Sequence, residues 1–172
     1  MATIHEGPHG HPHSTAKIGG HPIHPMLVSF PIVCFVLNFV ADIIYIQNRS
    51  PGWATATHWL LAIGLGFAAL AAVAGLTDFL GDKRIQGADA VKHMLANVTA
   101  VVVELVNLIL RLNNPDFIAS TGVILSGVVV LILLYSGWKG GDLVFRHGIG
   151  VEDQAASAVL RSSTRSTRSH GK

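Results

Sequence analysis

The sequence predicts an all-α integral membrane protein folded as a four-helix up-and-down bundle. Four predominantly apolar runs of about twenty residues lie between short polar connections, and none shows the apolar and polar alternation of a strand. Each run is long enough, or nearly so, to cross about 30 Å of hydrocarbon at about 1.5 Å per residue. A bilayer accepts only backbones whose hydrogen bonds are satisfied internally, so the runs are expected to be helices. The predicted spans are about 26–46, 59–80, 93–112 and 117–138.

The composition agrees with one membrane domain. Half of the residues are hydrophobic and 13% are charged, and 172 residues leave no room for a second folded unit. We expect a flexible His, Gly and Pro-rich segment over 1–20, the membrane domain over 21–152, and a disordered basic tail over 153–172. No apolar signal-peptide core precedes span one, which is therefore expected to act as its own uncleaved insertion signal. The lone Cys34 excludes an intramolecular disulfide.

The placement of lysine and arginine predicts the orientation. Most basic residues lie before span one, between spans two and three, or after span four, and only Arg49 and Arg111 lie at the opposite side. By the positive-inside bias, both termini and the middle loop are expected to be cytoplasmic. The basic residues on that side are Lys17, Lys83, Arg84, Lys92, Lys139, Arg146, Arg161, Arg165, Arg168 and Lys172.

Prolines and small residues mark the individual spans. Pro25 and Pro115 are expected at the first helical positions of spans one and four, where a missing N–H costs nothing. Pro31 lies inside span one and should kink it. Span two carries small residues at helical spacing, which would let a neighbouring helix approach closely. These residues are Gly64, Ala68, Ala71, Ala72 and Gly75.

Span three carries a polar stripe on one helical face. Its spacing keeps the polar residues together while Val, Leu and Ile fill the other faces, so the stripe should turn away from lipid. Span one matches it with Asn38 and Asp42 at i, i+4, and we expect Asp42 to pair with Arg111. The stripe consists of His93, Asn97, Glu104, Asn107 and Arg111.

Two interpretations of this intramembrane network stay open. In the first, interhelical hydrogen bonds and an ion pair fix the packing of the spans. In the second, Glu104, Asp42 and Arg111 serve a transporter or a proton relay. A carboxylate at mid-membrane depth is costly unless neutral or paired, so we expect Glu104 to be protonated or hydrogen-bonded.

Histidines gather at the predicted cytoplasmic ends of the spans. His21 and His24 open span one, His93 opens span three, and His147 follows span four. Imidazoles are common ligands of transition metals and of haem iron, although histidines at helix ends also cap helices or lie in the interface. Spans one and three can lie diagonally across a bundle, so His24 and His93 could meet one iron from opposite sides.

The remaining polar residues are expected to support the histidines or to have no specific function. Asp78, at the inner end of span two, has the depth to orient one of these imidazoles. His58, at the outer end of the same span, is assigned to the interface. A dense run of four histidines in the N-terminal segment could bind Zn, Ni or Cu loosely, but a segment without fixed structure is favoured. That run is His5, His9, His11 and His13.

Two specific motifs and two shorter ones carry a family resemblance. The first motif is His21-Pro-Ile-His24-Pro-Met-Leu-Val-Ser-Phe-Pro31, and the last is Gly137-Trp-Lys-Gly-Gly141-x-Leu-Val-Phe-x-His147-Gly-x-Gly150-Val. Between them lie Asp78 and the sequence His93-x-x-x-Asn97. Over about residues 18–152 the chain resembles the bacterial membrane proteins called domain of unknown function 2231.

That resemblance implies an electron-transfer setting. The family is similar to four-helix b-type cytochromes, and relatives occur joined to Rieske-type or other redox domains. The resemblance implies haem b near the cytoplasmic face of a bacterial inner membrane, with His24 and His93 as axial ligands and His147 as the reserve ligand. Asp78 and Asn97 would lie beside these ligands. The chain lacks the second pair of span-embedded histidines of two-haem relatives, which allows at most one haem.

The sequence therefore favours a small b-type cytochrome-like membrane redox subunit. A transporter or proton relay is the alternative, and a cofactor-free scaffold subunit is the third. The expected partners are the lipid bilayer and a redox protein, with no nucleic acid, and no feature indicates an oligomeric state. Hydrolase and kinase activities find no support, because the sequence has no nucleophile elbow, zinc-protease signature or phosphate-binding loop.

Overall fold

The computed structural model describes residues 14–19 and 21–149. In this part of the chain there are four long helices: α1 Ile23–Asn48, α2 Pro51–Gly81, α3 Ala88–Asn113 and α4 Thr121–Phe145. All four are long and apolar enough to cross a membrane, which confirms the predicted fold class. Short strands β1 (Lys17–Ile18) and β2 (His21–Pro22) pair antiparallel before α1. The predictions for residues 1–13 and 150–172, including His5, His9, His11 and His13, lie outside the described residues.

The helices extend beyond most of the predicted apolar spans because polar residues at their ends continue the backbone hydrogen-bonding. Pro25 is the third residue of α1, within the first turn, where its missing N–H is tolerated. The prediction that Pro115 opens span four is wrong. Pro115–Ala119 form a short 3₁₀ helix in which the Asn114 side chain accepts a hydrogen bond from the Asp116 N–H, and α4 begins only at Thr121.

Each helix packs mainly against its neighbour in sequence. α1 packs most extensively against α2 and α3 against α4, while smaller contacts join α1 to α4 and α2 to α3. α1 and α3 therefore lie diagonally across the bundle, as expected for an up-and-down arrangement. We call the end where α1 and α3 begin the His24 end, and the end where they finish the Arg111 end.

Small residues of α2 allow α1 to approach closely. A Cβ atom added at Gly64 would lie 2.6 Å from the Phe35 ring, and one added at Gly75 would lie 2.9 Å from the His24 ring. Ala68 and Ala71 are buried between these positions, whereas Ala72 is exposed. The predicted small-residue face is therefore present, with Ala71 rather than Ala72 in the interface.

An apolar layer occupies the middle of the bundle. It is formed by residues from all four helices, and the apolar side chains on the outer surface of the bundle are exposed, as expected where lipid contacts the protein. Polar side chains collect on either side of this layer, in one cluster towards each end. The layer consists of Phe35, Leu61, Ala68, Ala100 and Val129.

Candidate functional site

A buried ion pair lies at the centre of the cluster towards the Arg111 end. The Arg111 guanidinium donates from Nη1 to Asp42 Oδ1 at 2.6 Å and from Nη2 to Asp42 Oδ2 at 2.7 Å. Neither side chain is exposed. This two-point geometry matches the planar guanidinium to the carboxylate, and it joins α1 to α3 across the diagonal. The ion pair that the sequence predicted is therefore present.

Ser126 of α4 connects the other members of this cluster. Its Oγ donates to Asp42 Oδ2 at 2.8 Å and accepts from Asn38 Nδ2 at 2.8 Å and from Asn107 Nδ2 at 3.0 Å. Arg111 Nη2 also lies 3.0 Å from this oxygen. One serine hydroxyl thus joins three helices, and the sequence analysis did not identify it. In the sequence, Ser126 could have been noticed as a single hydroxyl within an apolar run, one turn after Gly122. The Gly122 carbonyl also lies near the cluster, 3.3 Å from Asn107 Nδ2.

Glu104 lies one turn of α3 from Ala100 of the apolar layer, and only one of its two carboxyl oxygens has a hydrogen-bond partner among the described residues. Its Oε2 accepts from Asn107 Nδ2 at 2.8 Å, and Asn107 Oδ1 in turn accepts from Arg111 Nε at 2.8 Å. Its Oε1 is buried and has no hydrogen-bond partner among the described residues. Because a buried carboxylate oxygen without a partner is costly, the atom requires a functional or chemical explanation.

His58, half-buried near the start of α2, lies in the same region as this cluster. The imidazole lies within electrostatic range of Arg111 and Asp42. Its Nε2 atom is buried and has no hydrogen-bond partner among the described residues. Two orphaned polar atoms, Glu104 Oε1 and His58 Nε2, therefore lie on the Arg111 side of the apolar layer.

The second cluster lies towards the His24 end and brings two predicted ligands together. The His24 and His93 ring centroids are 6.3 Å apart, with an angle of 86° between the ring planes. His24 Nδ1 lies 2.8 Å from the Ala71 carbonyl, and His93 Nδ1 lies 2.9 Å from the Ser136 carbonyl. A carbonyl oxygen can only accept, so each Nδ1 must carry the proton, and each Nε2 presents a lone pair.

Asn97 uses the lone pair of one of these imidazoles. Its amide Nδ2 lies 3.0 Å from His93 Nε2 and also 3.0 Å from the His93 carbonyl oxygen, one turn earlier on α3. Both partners accept from the same amide group. The His93 tautomer is therefore consistent at both nitrogens, with Nδ1 donating and Nε2 accepting.

Glycines lie beside both rings. A Cβ atom added at Gly140 would lie 3.2 Å from His93 Cε1, just as one at Gly75 would lie 2.9 Å from the His24 ring. Larger residues at either position would push the imidazole away from its carbonyl partner. The sequence identified Gly140 only as part of a motif, because the approach to His93 depends on the packing of α3 against α4.

Among the described residues, no hydrogen bond joins Asp78 to an imidazole. Its Oδ1 instead accepts from the backbone N–H groups of Thr15 and Ala16 at 2.7 and 2.8 Å and from Ser14 Oγ at 2.9 Å. The Ala16 carbonyl then accepts from the Ile23 N–H at 2.9 Å, at the start of α1. Asp78 therefore holds the segment that leads into the His24 helix.

His147 lies apart from the imidazole pair. Its Nε2 is 3.5 Å from Asp89 Oδ2, and its side chain is 53% exposed. Asp89 also accepts from Lys139 Nζ at 3.1 Å, and Lys139 donates to Asp142 at 3.2 Å. This charged group connects the start of α3 to the end of α4 at the surface of the bundle, and so the structure gives no support to His147 as the reserve ligand.

The donor set at the His24 end contains two imidazoles and no acidic or thiol partner. Across residues 14–19 and 21–149, no group of three or more His, Cys, Asp or Glu side chains could hold a metal ion. A bare divalent ion held by protein side chains usually takes three or four of them. The pair would therefore suit only a metal whose remaining ligands come from elsewhere.

The fold and the two polar clusters define a four-span membrane bundle with a histidine pair at one end and a buried ion pair towards the other. Residues 20–153 match the model of the family described as predicted membrane protein, DUF2231. The chain belongs to that family, as its motifs indicated. No curated protein and no solved structure matches the chain.

Proposed function

We propose that this membrane protein is a one-haem redox subunit in which His24 and His93 hold the iron. The observation that carries the proposal is the geometry of the imidazole pair. Two imidazoles that bind one metal through Nε2 have centroids about 6 Å apart, since each metal–nitrogen bond is about 2 Å and each nitrogen lies about 1 Å from its centroid. The separation here is 6.3 Å.

The tautomers also fit a ligand pair. Both Nδ1 atoms donate to backbone carbonyls, the arrangement that fixes a metal-binding histidine and leaves Nε2 for the metal. Two protein ligands suit haem, because the porphyrin supplies four nitrogens around the iron. Haem bound by this pair would supply a one-electron redox centre.

Asn97 controls one of the two ligand positions. Its amide would have to release His93 Nε2 before that atom could bind iron. The amide would keep its second bond, to the His93 carbonyl at 3.0 Å, so the release does not strand a buried donor. In this proposal Asn97 stabilises the unliganded imidazole, and its amide would have to turn away to free Nε2 for the iron.

The location of the pair suggests where electrons would exchange. Both imidazoles lie at the His24 end, and the polar path stops at the apolar layer, so one haem here would serve a single side of the membrane. With the predicted orientation, that side is the cytoplasmic face of a bacterial inner membrane. We propose a redox protein on that side as the partner. A proton relay across the whole bundle has less support, because the same layer interrupts it.

The test is an absorbance spectrum of protein made in haem-replete cells, recorded oxidised and then reduced. We expect a low-spin Soret band that is lost in His24→Ala and in His93→Ala. His147→Ala and His58→Ala are the matched controls and should keep the band. A wild-type protein without a Soret band, or a band that survives both ligand substitutions, would overturn the proposal.

A further inference from the structure

The second polar cluster carries a separate inference, which does not depend on haem. Glu104 is fully buried, and one of its carboxyl oxygens, Oε1, is unpartnered among the described residues. The nearby charges are Asp42 on α1 and Arg111 on α3, which already neutralise each other in a two-point ion pair. Among the described residues, the only charges that act on Glu104 are this balanced pair, so an ionised Glu104 would add an uncompensated negative charge.

The chemistry of the surroundings favours a proton over a metal ion as the ligand of Oε1. A sodium or calcium ion needs several oxygen ligands at once. The neighbouring oxygens already accept hydrogen bonds, since Asn107 Oδ1 accepts from Arg111 Nε and Ser126 Oγ accepts from Asn38 and Asn107. A single free oxygen can hold a proton, and the neutral acid removes the unbalanced charge.

The apolar layer gives this site one accessible side. Glu104 lies seven positions after Asn97 on α3, which corresponds to about 10 Å at about 1.5 Å per residue. At this depth the buried neighbours are apolar, including Ala100 and Phe35. Towards the Arg111 end the buried side chains are polar instead. His58 Nε2 there is, like Glu104 Oε1, a buried atom without a hydrogen-bond partner among the described residues. Water follows polar groups, so exchange should come from this end.

We propose that Glu104 is a proton-binding site that exchanges with the Arg111 end of the bundle alone. A hydronium ion transfers its proton to Oε1, which forms an O–H bond and leaves a neutral water molecule, without any electron transfer. Asn and Arg side chains do not release protons at ordinary pH, so the exchange runs through water beside His58 and not along the ion-pair network.

The remaining groups around Glu104 are accounted for on each helix. Asp42 of α1 and Arg111 of α3 act on Glu104 electrostatically, and His58 of α2 lies within electrostatic range of that pair. From α4 the cluster receives the Ser126 hydroxyl, and no titratable α4 side chain joins it among the described residues. With the Asp42–Arg111 pair intact and the charge of His58 unchanged, protonation of Glu104 changes the net charge of the cluster by one.

Infrared spectroscopy of the full chain in lipid vesicles tests the site. The chain has three glutamates, Glu6, Glu104 and Glu152, so ¹³C-carboxyl glutamate labels few groups. At neutral pH we expect a carboxylic-acid carbonyl band that shifts with the label and is lost in Glu104→Gln. Glu152→Gln is the matched control and should keep the band. Absence of the band, or its persistence in Glu104→Gln, would overturn the proposal.

Hydrogen–deuterium exchange of the same band tests the side of access. His58→Leu should slow the exchange, because it replaces the polar group beside the proposed water path. Thr77→Val is the control at the opposite end of α2, where the hydroxyl donates to the Val73 carbonyl of its own helix. Equal exchange in both variants and in the unaltered protein would contradict one-sided access from the Arg111 end. Circular dichroism would verify that each variant keeps its helices.

Discussion

Asp42 and Arg111, 69 residues apart in sequence, meet through two hydrogen bonds of 2.6 and 2.7 Å in a fully buried ion pair. The pair joins the diagonal helices α1 and α3, which make few other contacts with each other. Ser126 adds α4 to the same cluster. Removal of one charge leaves the other buried and unpaired, whereas removal of both does not.

The first prediction concerns this pair. Asp42→Ala and Arg111→Ala should each lower the free energy of unfolding by about 3–5 kcal/mol, because each strands a buried charge. The double variant should lose much less than the sum of the two. Unfolding in mixed micelles, followed by circular dichroism, measures all three. The control cycle uses Asp82 and Arg84, an ion pair whose side chains are 17% and 52% exposed. Additive losses for Asp42 and Arg111 would show that they are energetically independent.

The second prediction concerns Ser126. Ser126→Ala removes a hydroxyl that bonds Asp42, Asn38 and Asn107, and should cost about 1–3 kcal/mol of stability. Ser29→Ala changes an exposed serine of α1 in the same way and should have little effect. The same unfolding measurement compares the two. An equal free energy of unfolding in the two variants would mean that the hydrogen bonds of Ser126 do not stabilise the cluster.

The third prediction concerns Asn97 and depends on the proposed haem site. Asn97→Ala removes the amide that occupies His93 Nε2, so iron no longer has to displace a hydrogen bond. We expect the haem dissociation constant to fall about fivefold, equivalent to about 1 kcal/mol. Haem titration followed at the Soret band measures it, with Thr99→Ala on the same helix as control. A weaker affinity in Asn97→Ala would instead make Asn97 a residue that supports the ligand.

The fourth prediction concerns Asp78 and the segment before α1. Asp78→Ala removes the acceptor of the Thr15 and Ala16 N–H groups, so residues 14–19 should detach from α2. Trypsin should then cleave faster after Lys17, as measured by mass spectrometry of the products. Asp116→Ala, an exposed change near the Arg111 end, should leave the cleavage rate unchanged. An unaltered rate in Asp78→Ala would show that other contacts hold the segment.

The fifth prediction concerns orientation. Alkaline phosphatase fused after Arg49 or Asn114 should be active, because these positions lie on the side with few basic residues. Fusions after Arg84 or Arg146 should be inactive. The reverse pattern would put the histidine pair on the outer face and would move the proposed electron exchange to that side.

Some features of the site were predictable because they depend on the periodicity of a single helix or on the need to pair a buried charge. The stripe from His93 to Arg111 follows from helical periodicity, and a buried Arg111 requires an acid at similar depth, which Asp42 provides. The role of His58 was not predictable, because its depth relative to Arg111 depends on how α2 packs against α3. Asp78 had the expected depth, but its carboxylate is used by the chain before α1.

The sequence alone determined that this chain forms four spanning helices and which faces of them are polar. Hydrocarbon thickness and helical periodicity are local constraints that act on each segment separately. Only the tertiary structure decided that Ser126 joins three helices, that Gly75 and Gly140 lie against the two imidazoles, and that an apolar layer separates the clusters. Those features depend on the relative rotation and depth of neighbouring helices, which the packing of all four against one another sets.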